Sequence, residues 1–266
     1  MLDKKANHVI IPPDLLPEVD MGRLVMANLR VTILGIVRDC AGVLPRSLAM
    51  TENIGSMFRD WGAVFYENDS TDATPDILLK WAGTRENVII QCDTLGTKKW
   101  PSIRNPDRAK HLSMCRNACR MLAKPFIEQS DAVICFDPDL GPGARLSGLC
   151  TTFHRWLEWD GVASNGLRRD REGWVQADAW VFRTGTWAPQ SFGDVKNIIP
   201  APDEEWMPVL SAFGGLACYT RDAYLSGDYT GDDVDHVSLH RNMLHEGYAR
   251  LFLNPAQVFI QPRKRR

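Results

Sequence analysis

The sequence feature with the clearest chemistry is a pair of aspartates, Asp137 and Asp139, separated by Pro138. They directly follow Ala132–Phe136, an apolar run of the kind that forms a buried strand. Carboxylate oxygens are the ligands that Mg²⁺ and Mn²⁺ prefer, and an ion held by them could also bind a diphosphate leaving group. An Asp-Pro turn can produce the same short pattern, but the position at a strand end favours metal binding. We therefore predict a Mn²⁺ or Mg²⁺ site at these two carboxylates.

A second group of possible ligands lies in residues 232–240, which contain three aspartates and two histidines. If a helix begins near Asp233, His236 and His240 lie four residues apart on one of its faces. One imidazole could then complete the metal site, and one of the aspartates could act as a general base towards a hydroxyl group. The first two aspartates could instead cap the helix and complement its dipole, and the two roles are compatible.

Basic side chains precede the twin aspartates on a strongly helical segment, residues 107–123. Arg108 and Arg116, with Asn117 beside the latter, are candidates for contact with phosphate groups, because a guanidinium group can donate two hydrogen bonds to phosphate oxygens. The alternative for each arginine is a charged helix face in contact with solvent.

Short apolar runs alternate with helical patterns through the first half of the chain. Apolar strands joined by helices predict a buried parallel sheet with right-handed crossovers. The predicted strands are 31–37, 63–66, 88–90 and 132–136, and the predicted helices are 43–60, 72–81 and 107–123. Ligands bind outside the carboxyl ends of such strands. The polar residues that follow the first two strands, Arg38, Asp39 and Glu67, are therefore expected at the same sheet edge as the twin aspartates.

The chain has 266 residues, which is enough for one large domain, and no Gly-rich linker divides it. We predict an α/β fold with a Rossmann-like mixed sheet flanked by helices, in a single domain over residues 29–260. Residues 1–28 contain three prolines and no sustained periodicity of apolar residues, and we interpret them as an irregular N-terminal arm. Residues 261–266 are interpreted as a basic tail. The many tryptophans of the second half fit either sugar recognition or ordinary core packing.

Several classes of function are disfavoured by what the sequence lacks. No G-x-G-x-x-G motif follows the first strand and no P-loop motif is present, which counts against a dinucleotide cofactor and a P-loop ATPase. The net charge of −2 does not favour nucleic-acid binding. Without a run of about 20 apolar residues or a signal peptide, we expect no transmembrane segment and a cytoplasmic location. The odd number of cysteines, seven, fits that compartment.

Several short sequence blocks, taken in their order along the chain, resemble the GT-A glycosyltransferases. Within that group they resemble the fungal capsule-associated α-mannosyltransferases. The resemblance covers roughly residues 30–256. It rests on an acidic block after the second strand, the arginine helix, the twin aspartates, two blocks in the middle of the chain and two closing blocks: 66–74, 108–117, 137–139, 164–166, 178–183, 213–215 and 235–240. The shared order is more specific for the fold than for the sugar.

The resemblance implies a role for each candidate residue. The nucleotide-sugar-binding residues would be Arg38, Asp39, Glu67, Arg108, Asn117 and Asp137. Arg116 would face the donor phosphates or sugar, and Asp178 and Asp235 would lie near the transferred sugar and the acceptor. The metal ligands would be Asp137 and Asp139 with one of the two histidines, His236 or His240.

The implied reaction moves a sugar from a nucleotide diphosphate sugar to a glycan acceptor with retention of configuration. GDP-mannose is the favoured donor and a UDP sugar the alternative. Residues 29–140 would form the nucleotide-binding half and residues 141–260 the acceptor half. The runner-up function is a nucleotidyltransferase acting on sugar phosphates, but residues 38–42 match its Gly-rich loop poorly. A non-catalytic sugar-binding domain of the same fold is the third possibility, and the presence of both carboxylates argues against it.

Overall fold

The computed structural model describes residues 3, 8–83, 85–98, 100 and 105–262. The strands are β1 (Arg30–Val37), β2 (Asp60–Asn68), β3 (Val88–Asp93), β4 (Ala132–Phe136), β5 (Gly161–Arg169), β6 (Trp174–Gln176), β7 (Met207–Pro208), β8 (Leu216–Thr220) and β9 (Leu251–Ile260). The α-helices are α1 (Leu16–Met26), α2 (Leu44–Gly55), α3 (Thr74–Ala82), α4 (Pro106–Ile127), α5 (Leu146–His154), α6 (Phe192–Val195), α7 (Arg221–Ser226) and α8 (Asp235–His245). Short 3-10 turns cover Pro13–Leu15 and Pro138–Leu140.

These strands form one mixed sheet in the order β3-β2-β1-β4-β8-β5-β9-β7, with β6 paired to β5. In the first half, β1 runs parallel to both β2 and β4, and β2 runs parallel to β3. The strand β8 is antiparallel to β4 and to β5, so the sheet becomes mixed in the second half of the chain. The predicted α/β fold, a single domain with a mixed sheet flanked by helices, is confirmed.

The sheet is buried on both faces, which explains the continuous apolar runs of its first strands. On one face, Leu34 and Val133 pack with residues of α4, α7 and α8. On the other, Ile33 and Ile134 pack with residues of α1, α2 and α5. Neighbouring residues of one strand point to opposite faces, and here each face meets its own helical layer. The loops at the carboxyl ends of the strands are thus attached to a rigid scaffold.

The interpretation of residues 1–28 as irregular is wrong over Leu16–Met26, which form α1. Val19 and Met26 are buried in the core, and α1 packs against α5 so closely that Gly22 has no room for a side chain beside Cys150. Pro17 lies in the first turn of the helix, where the missing N–H of proline has no hydrogen bond to lose. Three nearby prolines therefore marked the start of a helix and not an unstructured arm.

The remaining differences from the predicted elements are at their ends. The second helix ends at Gly55 and not near residue 60, because the chain must turn into β2. Of the predicted basic tail, residues 263–266 lie outside the described residues. Among the helices that the structure describes, none is both long and apolar enough to cross a bilayer. All seven cysteines are free thiols.

Candidate functional site

The carboxyl ends of β1, β2 and β4 lie side by side, because these parallel strands are neighbours in the sheet. A cavity of about 450 Å³, here called the first cavity, lies at this edge. Its volume is within the roughly 300–1,000 Å³ that is usual for small-molecule sites. The predicted site residues that line it are Arg38, Arg108, Arg116, Asp137, Asp139, Asp178, Asp235 and His236. The structure thus brings together most of the side chains selected from the sequence, over a span of about 200 residues.

Arg116 is the centre of the ion pairing in the first cavity. Its Nε donates to Asp235 Oδ2 at 2.6 Å, and its Nη2 donates to Asp137 Oδ1 at 2.7 Å. The side chains of Arg116 and Asp235 are only 7% and 6% exposed. The guanidinium group also lies 5.2 Å from the centre of the Phe213 ring, which adds a cation–π contact. Arg116 therefore ties α4 to the end of β4 and to the start of α8.

The surroundings of the two aspartates that follow β4 disfavour the charged form of both carboxyl groups. Burial raises the pKa of Asp137, although the Arg116 charge acts in the opposite direction. Asp139 is open to the cavity, and the protein around it, together with the charge of Asp137, raises its pKa as well. Like-charged carboxylates raise each other's pKa, and a bound cation reverses that effect. The donor set is therefore chemically suited to a divalent cation.

Asp235 has a different environment, although it lines the same cavity. Burial alone would raise its pKa, but the Arg116 guanidinium outweighs burial and lowers the pKa of Asp235 to about 2. Its carboxylate is already engaged in a buried ion pair. A carboxylate held in this way is a weak base, so the structure favours a positioning role for Asp235 over the general-base role.

The two predicted histidine ligands have different surroundings. His236 lines the first cavity and stacks on Phe213, with ring centres 3.8 Å apart. Burial lowers the pKa of His236 well below 6.5, so the ring is neutral, and its shielded Nε2 has no hydrogen-bond partner in the described chain. His240 does not line the first cavity, and its two ring nitrogens are bound to Ser211 Oγ at 2.8 Å and Tyr219 Oη at 2.9 Å. His240 therefore lies outside the candidate metal site.

Within the described residues, no three His, Cys, Asp or Glu side chains are arranged to hold a metal ion by themselves. The side chains that fit an ion are Asp137 and Asp139, with the neutral His236 nearby in the same cavity. The ion pair with Arg116 uses Oδ1 of Asp137 and leaves its second oxygen for coordination. An ion at this place would take its other ligands from a bound substrate or from water, as Mg²⁺ commonly does.

Asp39 and Glu67, two of the predicted nucleoside-binding residues, accept hydrogen bonds from the loop after β2 and do not line the first cavity. Asp39 Oδ1 accepts a hydrogen bond from Thr71 N at 2.7 Å, and Glu67 Oε1 accepts one from Ser70 N at 2.8 Å. Arg38 does line the cavity, and its Nη2 donates to the carbonyl oxygen of Thr97 at 2.6 Å. Of the three, only Arg38 is placed for direct ligand contact.

Asn117, also predicted to bind the nucleotide sugar, does not line the first cavity. Its Nδ2 donates to the carbonyl oxygen of Tyr229 at 2.8 Å, which fixes the segment before α8 against α4.

Two residues that line the first cavity, His111 and Asn68, were given no role from the sequence. His111 Nε2 and Asn68 Nδ2 lie 3.1 Å apart. His111 lies three residues after Arg108 on α4, so helical spacing alone places the two side chains on one face.

A second cavity of about 410 Å³ adjoins the first, and Asp137, Asp178, Trp180 and Phe213 line both of them. Asp178 Oδ2 accepts a hydrogen bond from Gly214 N at 2.7 Å. Gly214 has a φ of +68°, which favours glycine. The surrounding protein raises the pKa of Asp178 to about 6, and the charges of Asp137 and Asp235 act in the same direction. Asp178 is thus a carboxylate of raised basicity at the junction of two cavities.

Comparison with known proteins gave matches to solved structures only. No protein-family profile matches the chain, and no curated protein matches it. Among the structures that do is a mannosyltransferase, PcManGT from Pyrobaculum calidifontis, in complex with GDP-Man and Mn²⁺. It is 17% identical with a TM-score of 0.53, over 94% of this chain and 65% of that one. Another is GalNAc-T7 with UDP, GalNAc and Mn²⁺, which is 10% identical with a TM-score of 0.50, over 97% of this chain and 54% of that one.

The chain spans less than two thirds of the length of each of these two proteins. At such identities the likeness extends to the fold, and both neighbours are glycosyltransferases of the GT-A type. No likeness to the fungal capsule-associated group appears among them. The mixed sheet flanked by helices matches these neighbours in architecture: this chain has the GT-A glycosyltransferase fold.

Proposed function

We propose that this chain is a divalent-metal-dependent glycosyltransferase, which moves a sugar from a nucleotide diphosphate sugar to a carbohydrate acceptor. The observation that carries the proposal is the pair Asp137 and Asp139 at the end of β4, inside a cavity whose carboxylates outnumber its nearby cations. A divalent ion bound there would supply Lewis-acid stabilisation of the diphosphate leaving group.

Arg108 and Arg116 contribute in different ways. Arg108 lies on α4, is partly exposed and lines the first cavity, and we assign it the binding of the donor phosphates. Arg116 is buried and already paired with Asp137 and Asp235. It acts as a positioning residue, since it holds Asp137 with one oxygen available to an ion and keeps Asp235 ionised.

Asp178 is the carboxylate best suited to bind the acceptor hydroxyl group. It lines both cavities, so it lies between a donor sugar in the first cavity and an acceptor in the second. A pKa of about 6 leaves the group ionised at neutral pH and more basic than an ordinary aspartate. It can therefore accept the hydroxyl proton in a hydrogen bond and orient the attacking oxygen.

GDP-mannose is the donor that we favour. The order of the sequence blocks supports it, as does the likeness to a mannosyltransferase whose structure contains GDP-Man and Mn²⁺. A UDP sugar is the alternative, and the structure of GalNAc-T7 contains UDP. The sequence resemblance favours retention of configuration, and the coupling constant of the anomeric proton in the product, measured by NMR, tests that part of the proposal.

A thermal-shift panel tests the proposed function before any acceptor is known. Ligands that bind only the native state stabilise it by about 2.7 kcal/mol at 100 times Kd, which corresponds to a rise in Tm of roughly 5–10 °C for a chain of this size. We expect such a rise with GDP-mannose and Mn²⁺ together, and little change with either component alone. UDP-, GDP- and CMP-linked sugars, each measured with Mn²⁺ and with EDTA, form the panel.

The other functions give different results in the same panel. A nucleotidyltransferase would respond to a nucleoside triphosphate with Mg²⁺ and to a sugar phosphate. A non-catalytic sugar-binding domain would respond to free glycans and to none of the nucleotide sugars. If no nucleotide sugar raises the Tm in the presence of the metal, the proposed function is wrong.

A further inference from the structure

Arg168 is an unusual cation in the wall of the second cavity. It lies on β5, opposite Val175 of β6, and its guanidinium group lies 5.1 Å from the centre of the Phe192 ring. No carboxylate among the described residues pairs with it. The next residue, Arg169, points to the opposite face of the strand and lies over Trp174 instead. As far as the described part of the chain shows, Arg168 therefore brings a positive charge without a carboxylate partner to this cavity.

Gln190 adds an unpartnered acceptor to the same cavity. Its Nε2 donates to Thr184 Oγ1 at 3.3 Å, whereas its Oε1 is shielded from solvent and has no hydrogen-bond partner in the described chain. Shielded polar atoms without partners are rare in native structures. A hydroxyl group of a ligand in the second cavity would provide the missing donor.

The rest of the second cavity has the character of a sugar site with two ends. Trp180 and Phe192 also line it, and apolar sugar faces pack on aromatic rings. Asp137 and Asp178 also line the cavity, at the part that it shares with the first cavity. An anionic group would be repelled by these carboxylates and attracted to Arg168. A ligand that contacts both Asp178 and Arg168 would turn its hydroxyl group towards Asp178 and its anionic group towards Arg168.

We propose that the second cavity binds an acceptor sugar that carries an anionic group, a carboxylate or a phosphate, which Arg168 contacts while Gln190 accepts a hydrogen bond from a sugar hydroxyl group. This inference rests on the proposed glycosyltransferase function and specifies the class of its acceptor. It also accounts for a cation, Arg168, that has no carboxylate partner among the described residues and lies in a cavity wall that includes two aspartates.

Matched pairs of small sugars test the inference with the full chain in the presence of GDP and Mn²⁺. The first pair is methyl β-glucoside and methyl β-glucuronide, which differ by a carboxylate. The second pair is mannose and mannose 6-phosphate, which differ by a phosphate. We expect the charged member of one pair to bind about tenfold more tightly at low salt, because its hydrogen bond to the guanidinium is charge-assisted. The pair that responds distinguishes a carboxylate from a phosphate acceptor.

Arg168→Gln should make both members of the responding pair bind equally. Arg169→Gln is the matched control, since it removes the same charge from the opposite face of β5, and it should keep the tenfold preference. Gln190→Leu should weaken the charged and neutral members alike. Equal binding by the unmodified protein, no binding of any probe, or equal effects of the two arginine variants would overturn the inference. Donor binding, measured on the same samples by thermal shift, separates this failure from failure of the proposed function.

Discussion

Replacing Asp139 with asparagine should abolish Mn²⁺-dependent transfer while the chain stays folded. Asp139 is open to the first cavity and its pKa is raised by the surrounding protein and by Asp137, so the substitution removes an unfavourable charge and no packing. Metal ions stabilise transition-state charge by several kcal/mol, and a loss of about 4 kcal/mol slows turnover roughly a thousandfold. The measurements are kcat/KM for the nucleotide sugar across a Mn²⁺ titration, and Tm without metal.

Asp93→Asn is the matched control for this experiment. Asp93 lies at the carboxyl end of β3, on the same edge of the sheet, but its Oδ2 accepts a hydrogen bond from Tyr66 Oη at 2.7 Å and it does not line the cavity. The control should keep most of the activity and its dependence on Mn²⁺. If Asp139→Asn retained full Mn²⁺-dependent activity, or if both variants lost it equally, the metal assignment would be wrong.

Replacing Arg116 with glutamine should destabilise the fold and remove activity together. The substitution leaves Asp137 and Asp235 without the cation that both of them contact. Breaking a buried ion pair from one side typically costs about 3–5 kcal/mol, which for a chain of this size lowers Tm by roughly 10 °C. Chemical denaturation at pH 7 measures the free energy of unfolding. Lys124→Gln on the same helix loses only an exposed pair with Glu128 and should change stability by less than about 1 kcal/mol.

The effect of Arg116→Gln should also depend on pH. The pKa of Asp235 is about 2 in the folded protein, below the usual 3.8 of an aspartate, so the pair stabilises the fold above pH 4. This contribution is lost as the pH falls through about 2, because the carboxylate becomes protonated. The difference in stability between the unmodified protein and the variant should therefore be constant at neutral pH and narrow below pH 4. A difference that widened on acidification would contradict the role given to the pair.

The sequence predicted the centre of the candidate site well, because that centre depends on local signals. Asp137 and Asp139 come directly after a strand that is apolar on both faces, and the order of parallel strands then fixes the edge where they lie. Arg116 could be selected because it lies on the helix that crosses over to that strand. The fold class alone thus brings the end of β4 and the crossover helix α4 to the same edge of the sheet.

The residues that the sequence placed less well depend on side-chain directions set by tertiary contacts. Helical spacing puts His236 and His240 on one face of α8. Only the contacts with Ser211 and Tyr219 show that both ring nitrogens of His240 bind other protein groups. Asp39 has a φ of +49°, and its carboxylate turns to the loop after β2. Neither a loop conformation nor a partner distant in sequence follows from residue spacing.

The most direct test of the metal site is an anomalous diffraction measurement on crystals soaked with GDP-mannose and Mn²⁺. We expect a manganese peak at bonding distance from the carboxylates of Asp137 and Asp139, next to the donor diphosphate within the first cavity. A manganese ion bound elsewhere, or a diphosphate bound in the first cavity while both carboxylates have no contact with metal, would contradict it.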